Sequence, residues 1–256
     1  ALQLDLNHCS LLSILQVHAQ QLQQGMLKLI ITRAAQDIRG YGYTPSECGS
    51  KCETWLKSLA MKVSTTAQLP LADGIFVPMQ PMSTAVCLSS QIACLPPSLA
   101  GLKSLNRLDN VLASAELQDI KARSLNSNGS QDISEGLLRD MTGCWIEGTM
   151  SNMFYQLLES PLEESSRFPH YQDHTNYLST GQWYTPSMTQ SGVAGVMRQV
   201  IIDTLSTGSH PVIIRSLQDK DLPQLSKLFF CNALRGIMPM SSLTLLTGEV
   251  VSLEAI

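Results

Sequence analysis

Short apolar segments of strand length alternate with helical segments along this chain, and that alternation limits the fold more than any other sequence feature. The strand-like segments are apolar or β-branched: Met26–Thr32, Leu59–Thr66, Thr84–Ser89, Trp145–Glu147 and Met153–Leu158. Helical spacing of apolar residues runs from Leu11 to Leu22, where Gly25 is expected to end the helix, from Leu102 to Ala115, and from Val196 to Leu205. No internal repeat is present, so the predicted fold class is α/β or α+β.

The composition supports a globular protein without affinity for nucleic acid. Of 256 residues, 44% are hydrophobic and 15% are charged, which supplies a sizeable core and excludes disordered and fibrous classes. The formal net charge is −4 and the isoelectric point is near 5.7, so the chain has no general attraction for phosphate backbones.

The number of cysteines indicates the redox compartment, and the spacing of the prolines indicates whether the chain could span a membrane. The seven cysteines are odd in number and scattered, which predicts reduced thiols in a cytoplasmic protein. Cys48 and Cys52 lack a second Cys or His pair at zinc spacing, so no metal site is expected. Between Lys62 and Lys103 the only charge is Asp73, but five prolines interrupt the stretch. We therefore expect a soluble protein with no membrane partner.

Two segments suggest how the chain is divided. Leu69–Ser83 is rich in proline and almost uncharged, which is typical of a linker, so we expect a smaller domain over 1–82 and a larger one over 83–256. Glu159–Asn176 is polar, contains two prolines and is interpreted as an exposed insertion. Its His170 and His174 fit a solvated loop better than a metal site.

Three short constellations could support chemistry. Lys103 lies where a loop is expected to enter a helix, and the partial positive charge of a helix N-terminus favours the neutral amine that Schiff-base chemistry requires. Glu147 ends a predicted strand, where a buried carboxylate could keep a heterocyclic nitrogen protonated. The glycines of Ser191–Gly195 precede a helix and could expose N–H groups to a phosphate. Taken singly, a solvated lysine, a surface glutamate and an ordinary helix start remain the simpler interpretations.

Taken together, these segments resemble the fold-type IV pyridoxal-phosphate enzymes, and within them the aminodeoxychorismate lyases most. The resemblance extends from about Gly25 to Pro239 and rests on four motifs: Arg39-Gly40-Tyr41, Lys103-Ser104-Leu105-Asn106-Arg107-Leu108, Gly192–Arg198, and Cys231-Asn232-Ala233-Leu234 with Pro239. It implies a two-domain α/β fold like that of D-amino acid aminotransferase, a homodimer, and pyridoxal 5'-phosphate as cofactor.

The resemblance also implies a role for each matching residue. Lys103 would be the lysine that bonds the cofactor and the general acid and base, and Glu147 would pair with the pyridine nitrogen. The remaining cofactor contacts would come from Arg107, Gly195, Val196, Met197, Asn232 and Ala233. Arg39 is the candidate for binding a substrate carboxylate.

The implied reaction converts 4-amino-4-deoxychorismate to 4-aminobenzoate and pyruvate, a step of folate biosynthesis. One alternative is a class-IV aminotransferase acting on D- or branched-chain amino acids, although Arg107 and Cys231–Leu234 favour the lyase. A second alternative is a relative without cofactor that serves as a structural or interaction protein. The family's opening strands and phosphate-binding arginine have no counterpart here, so we expect the natural chain to be longer.

Overall fold

The computed structural model describes residues 4–40, 42–44, 49–70, 76–126, 132–158, 178, 181–206 and 211–256. It divides into two compact units, residues 1–63 and 64–256. The predicted insertion Glu159–Asn176, with His170 and His174, lies outside the described residues, as does Cys48. The other six cysteines are free thiols. In the described residues, no helix is both long and apolar enough to cross a membrane.

The first unit contains one helix and a two-stranded antiparallel sheet. Helix α1 (His8–Leu22) begins where the Asn7 side chain accepts the N–H of Ser10 at 3.0 Å. Strands β1 (Gly25–Arg33) and β2 (Cys52–Ala60) pair in register from Gly25 opposite Ala60 to Arg33 opposite Cys52.

Two local predictions in this unit need correction. The helix ends before Gly25, because Gln23 turns the chain with a φ of 58° and its N–H bonds the Ala19 carbonyl, while Gly25 already begins β1. The strand predicted over Leu59–Thr66 is instead β2, which lies earlier because its partner β1 fixes where it can pair. The predicted strand Met26–Thr32 is confirmed within β1.

The second unit is built on one mixed sheet of eleven strands with two α-helices. Its elements are β3 (Ala67–Pro70), β4 (Phe76–Met79), β5 (Ser83–Ile92), α2 (Leu108–Asn126), β6 (Ile133–Asp140), β7 (Trp145–Gly148), β8 (Asn152–Leu157), β9 (Tyr184–Thr185), α3 (Val196–Leu205), β10 (Ile213–Ile214), a 3-10 helix (Asp219–Gln224), β11 (Leu225–Asn232), β12 (Gly236–Thr244) and β13 (Val250–Ser252). Strand β5 is parallel to both neighbours, β6 and β12. The pairings close β5, β6, β7, β8, β11 and β12 into a ring. The predicted strands at 84–89, 145–147 and 153–158 are confirmed in β5, β7 and β8, and the helix at 196–205 in α3.

Most of the described residues in the segment predicted as a linker belong to this sheet. Strands β3 and β4 pair with each other, and β4 pairs with β12. Leu69, Val77 and Met79 are buried in the core. Since β3 and β4 belong to the sheet of the second unit, the division between the units falls at Val63/Ser64 and not at residue 82.

Helix α2 starts later than the apolar spacing suggested. It begins at Leu108, so Leu102 and Leu105 belong to the loop before it. Its buried residues Ala113 and Leu117 pack with apolar residues of β5 and β6. This places Lys103 in a loop that ends directly at the first turn of α2.

An aromatic cluster fixes α3 against the sheet. Phe154 of β8 stacks on Phe229 of β11 with ring centres 4.9 Å apart, and Trp183 meets Phe229 edge-on at the same distance. Ile201 and Leu205 of α3 are buried in the same cluster. These residues anchor one face of α3, and Gly195, just before the helix, lies against Asn152, the first residue of β8.

Candidate active site

A backbone contact joins the loop that carries Lys103 to the turn before α3. The N–H of Ala194 donates to the carbonyl of Gly101 at 2.9 Å, and Gly101 forms a bridge with Val193. Gly101 has a φ of +77°, and a Cβ there would lie 3.3 Å from the Ala194 Cβ. A glycine at this position therefore allows the close approach of the two segments.

Lys103 is exposed and makes no hydrogen bond or ion pair with the part of the chain that the structure describes. The expectation that a helix N-terminus acts on its amine is wrong, because α2 begins five residues later and the field of a helix end acts within its first turn. The exposed position leaves the amine free to reach a ligand.

Glu147 is a buried carboxylate at the end of β7, and only 3% of the residue is exposed. Its Oε1 accepts a hydrogen bond from Nη2 of Arg107 at 2.9 Å, and its Oε2 accepts one from the Val193 N–H at 2.8 Å. Burial raises the pKa of Glu147 to about 7, although the Val193 N–H, Arg107 and Asn110 all act to lower it. The carboxyl group can therefore gain or lose a proton near neutral pH.

Arg107 is held in place by Asn110, a residue that the sequence analysis did not identify. Nε of Arg107 donates to Oδ1 of Asn110 at 2.7 Å, and Nδ2 of Asn110 donates to the Thr149 carbonyl at 3.3 Å. The signal in the sequence was the spacing, because residues three apart at a helix start lie on one face. Asn110 thus connects the arginine to the turn that follows Glu147.

A second missed residue, Glu135 of β6, organises that same turn. It is 2% exposed, and its carboxylate accepts the N–H of Thr149 at 3.0 Å and the hydroxyl of Ser151 at 2.7 Å. No clear signal in the sequence marks it, because β6 also contains the polar residues Ser134, Arg139 and Asp140. Its hydrogen bonds fix the Gly148–Ser151 turn, and with it the end of β7 that carries Glu147.

We expect the Glu135→Leu variant to lower the free energy of unfolding by ~3 kcal/mol, because it leaves buried donors of the turn without an acceptor. Urea unfolding followed by circular dichroism measures the change. Glu254→Leu is the matched control, since Glu254 is exposed and its replacement should change stability by no more than ~0.5 kcal/mol. Equal unfolding midpoints for the two variants would contradict the role given to Glu135.

The first turn of α3 provides open backbone donors. Gly195 is its N-cap and makes no side-chain cap, and the first turn contains no acidic residue. The N–H groups of Val196 and Met197 are therefore available to an anion. A Cβ at Gly195 would collide with Oδ1 of Asn152, whose Nδ2 donates to the Val193 carbonyl at 2.7 Å.

The Asn232–Ala233 turn, between β11 and β12, lies beside this region. Cys231 pairs with Asn152 in the register of β11 with β8, and Nδ2 of Asn232 donates to the Met150 carbonyl at 3.4 Å. Oδ1 of Asn232 accepts the N–H groups of Leu234 and Arg235. The Asn232 side chain therefore shapes its own turn, which leaves the backbone of the turn as the part that could bind a ligand.

The second unit thus brings most of the predicted site residues into one region. The residues are compatible with a phosphorylated pyridine aldehyde, because they supply a free amine at Lys103, a buried carboxylate at Glu147 and an open helix N-terminus at Gly195. Arg39 lies in the first unit, in the exposed loop after β1, so its role in substrate binding stays a prediction.

Known proteins are similar to this chain in sequence and in fold. The sequence profile of the family "Amino-transferase class IV" matches residues 1–243. An aminodeoxychorismate lyase of Vibrio harveyi is 25% identical over 150 residues, which is 59% of this chain and 43% of that protein. The chain therefore spans less than half the length of this curated relative.

Solved structures show the same architecture. The 4-amino-4-deoxychorismate lyase of Pseudomonas aeruginosa superposes with a TM-score of 0.61 and 25% identity, over 93% of this chain and 70% of that one. The branched-chain amino acid aminotransferase of Escherichia coli superposes with a TM-score of 0.59 and 18% identity, over 93% of this chain and 64% of that one. The predicted α/β fold of the fold-type IV enzymes is confirmed, and the chain belongs to the amino-transferase class IV family.

Proposed function

We propose that this class-IV enzyme is a pyridoxal-phosphate-dependent lyase that converts 4-amino-4-deoxychorismate to 4-aminobenzoate and pyruvate in folate biosynthesis. The observation that carries the proposal is the 2.9 Å ion pair between Arg107 and the buried Glu147. Arg107 belongs to the Leu-Asn-Arg-Leu motif that favours the lyase over aminotransferases, and its contact with Glu147 supports a role beside the proposed cofactor carboxylate. The lyase relatives from Vibrio harveyi and Pseudomonas aeruginosa support the same assignment.

The residues that would hold the cofactor supply three kinds of interaction. Lys103 would provide the bonding amine, and Glu147 would face the pyridine nitrogen. The phosphate would meet the N–H groups of the Gly195–Met197 turn and of the Asn232–Ala233 turn. When bound, pyridoxal phosphate supplies an electron-withdrawing ring that stabilises negative charge beside the reacting carbon.

In this proposal two side chains transfer or hold protons. Lys103, whose amine is exposed and unpaired in the described part of the chain, takes a proton from the substrate and returns one at Nζ. Glu147, with a pKa that burial raises to about 7, can hold a proton at its carboxyl group while Arg107 and the Val193 N–H keep that group in place.

The competing function is that of a class-IV aminotransferase, favoured by the fold shared with the Escherichia coli enzyme. Incubation with aminodeoxychorismate should release pyruvate, whereas D-alanine or leucine with 2-oxoglutarate should yield little glutamate. Chromatography of both mixtures, with a cofactor-free incubation as control, measures the two activities. Faster glutamate formation would place the protein among the aminotransferases.

We expect Glu147→Gln to reduce lyase turnover roughly ten- to hundredfold, because a neutral amide loses a charge-assisted hydrogen bond of ~1.5–3 kcal/mol. Glu116→Gln serves as the matched control, since Glu116 bonds Ser89 and Ser90 and none of the site residues. Steady-state kinetics of both variants measures the effect. Equal turnover in the two would show that Glu147 faces away from the reaction.

Three further features are proposed from the family resemblance. The assembly is a homodimer, which sedimentation of the full-length protein tests directly. The protein acts in the cytoplasm.

Arg39 binds a carboxylate of the substrate, so Arg39→Gln should raise KM for aminodeoxychorismate, whereas Arg123→Gln, at another exposed arginine, should leave KM unchanged.

A further inference from the structure

A cleft of about 570 Å³ opens within the second unit beside the Gly101–Ala194 contact. Lys103, Arg107 and Glu147 do not line it. Its polar lining comes from Arg198, Ser187 and Thr189, and apolar walls include Pro97, Leu102 and Ile214. No acidic residue is among its described lining residues. The cleft is therefore mainly apolar, with one cation and two hydroxyl groups.

Arg198 is a buried cation without an anionic partner. Only 7% of the residue is exposed, and its Nε and Nη2 donate to neutral oxygens, Oγ1 of Thr185 at 3.1 Å and the Pro186 carbonyl at 2.8 Å. Nη1 has no hydrogen-bond partner in the described residues, and no carboxylate pairs with the guanidinium there. Burial lowers the pKa of Arg198. Because buried charges are normally paired, this arrangement favours an incoming anion.

The position of Arg198 in α3 adds to the positive potential. The residue lies in the first turn of the helix, which contains no acidic side chain. The partial positive charge of that helix end opposes a cation and attracts an anion. The guanidinium and the helix end therefore act in the same direction.

We propose that this cleft binds a small carboxylate with an apolar body. The carboxylate would accept a hydrogen bond from Nη1 of Arg198 and one from the Ser187–Thr189 pair, whose hydroxyl groups lie 2.9 Å apart. The apolar body would contact Leu102 and Ile214, both of which are about half exposed. Inorganic phosphate fits less well, because a dianion without an apolar part gains nothing from these walls. The proposal does not rest on the proposed lyase function, although Arg198 belongs to the helix turn that would meet the cofactor phosphate.

The test is a titration of the purified, isotope-labelled chain with sodium benzoate, followed by 1H–15N NMR. Saturable shifts are expected at the amides of Gly101, Leu102 and Ala194. Benzyl alcohol, which keeps the apolar body without the charge, should bind at least tenfold more weakly, as should inorganic phosphate. Absence of saturable shifts with benzoate, or tighter binding of phosphate, would overturn the proposal.

Variants of the neighbouring residues test whether the Arg198 guanidinium binds the carboxylate. Arg198 itself is kept, because its hydrogen bonds to Thr185 and Pro186 also stabilise the fold. Thr189→Glu and Ser187→Glu each place a carboxylate in the cleft, and at least one should weaken benzoate binding tenfold or more. Thr189→Gln and Ser187→Gln are the neutral controls: each removes a hydroxyl donor and weakens binding somewhat, but each should bind benzoate at least about fivefold more tightly than the glutamate variant at the same position. If both glutamate variants bind benzoate like the wild type, the guanidinium is not the anchor and the proposal fails.

Discussion

Replacement of Lys103 by alanine should abolish lyase turnover, a loss of at least about a thousandfold, while the protein remains folded. The physical reason is that, in the proposed function, the primary amine of Lys103 bonds the cofactor aldehyde, and alanine has no amine to replace it. The fold should tolerate the change, because Lys103 is exposed and makes no hydrogen bond or ion pair in the described chain. Turnover, with circular dichroism for the fold, measures both outcomes.

Lys220→Ala is the matched control for this prediction. Lys220 is also an exposed lysine of the second unit, in the 3-10 helix Asp219–Gln224. After borohydride reduction of the loaded protein, mass spectrometry should find the cofactor on the peptide that contains Lys103 in the wild type and in Lys220→Ala. Attachment at another lysine, or substantial turnover by Lys103→Ala, would refute the assignment.

The sequence predicted the fold best where a segment's own pattern determines its structure. Met26–Thr32 is apolar and β-branched and forms β1, and the glycines before Val196 correctly indicate the start of α3. The prediction of a linker at Leu69–Ser83 was wrong, because proline and low charge occur both in linkers and in short buried strands. Only the pairing of β4 with the distant β12 distinguishes them, and such long-range pairing is not encoded locally.

The candidate site shows the same limit. Motif resemblance identified Arg107 and Glu147, which the structure brings within hydrogen-bond distance although they are forty residues apart. It did not identify Asn110, which bonds Arg107 and the Thr149 carbonyl, or Glu135, which fixes the Gly148–Ser151 turn. Their contribution depends on how β6, β7 and α2 meet, which single-sequence patterns do not specify.

The Arg107–Glu147 pair makes stability depend on pH in a defined direction. The pKa of Glu147 is about 7 in the folded chain, while an unfolded glutamate titrates near about 4.3. At pH values between these two pKa values, Glu147 is ionised in the unfolded chain but still protonated in the folded chain. The contribution of Glu147 to the free energy of unfolding therefore falls as pH rises through this range. Arg107 limits the loss, because its charge lowers the pKa of Glu147.

We therefore expect Arg107→Met to destabilise the protein by ~3 kcal/mol at pH 8.5 and by only ~1 kcal/mol at pH 5.5. At pH 8.5 the variant either keeps the Glu147 carboxylate buried without a cationic partner or keeps Glu147 protonated at a pH where carboxyl groups normally ionise, and both states cost free energy. At pH 5.5 the carboxyl group is protonated in the folded state, so mainly the hydrogen bonds of Arg107 to Asn110 and Gly192 are lost. Urea unfolding at both pH values gives the two differences in free energy.

The control for Arg107→Met is the same substitution in a Glu147→Gln background. A glutamine at position 147 cannot ionise, so the cost of removing Arg107 should there be equal at pH 5.5 and pH 8.5. If the wild-type background also shows equal costs, the carboxylate of Glu147 is not under the control of Arg107. A pH-dependent cost that disappears with Glu147→Gln would instead tie the protonation of this buried carboxyl group to the arginine that distinguishes the lyase motif.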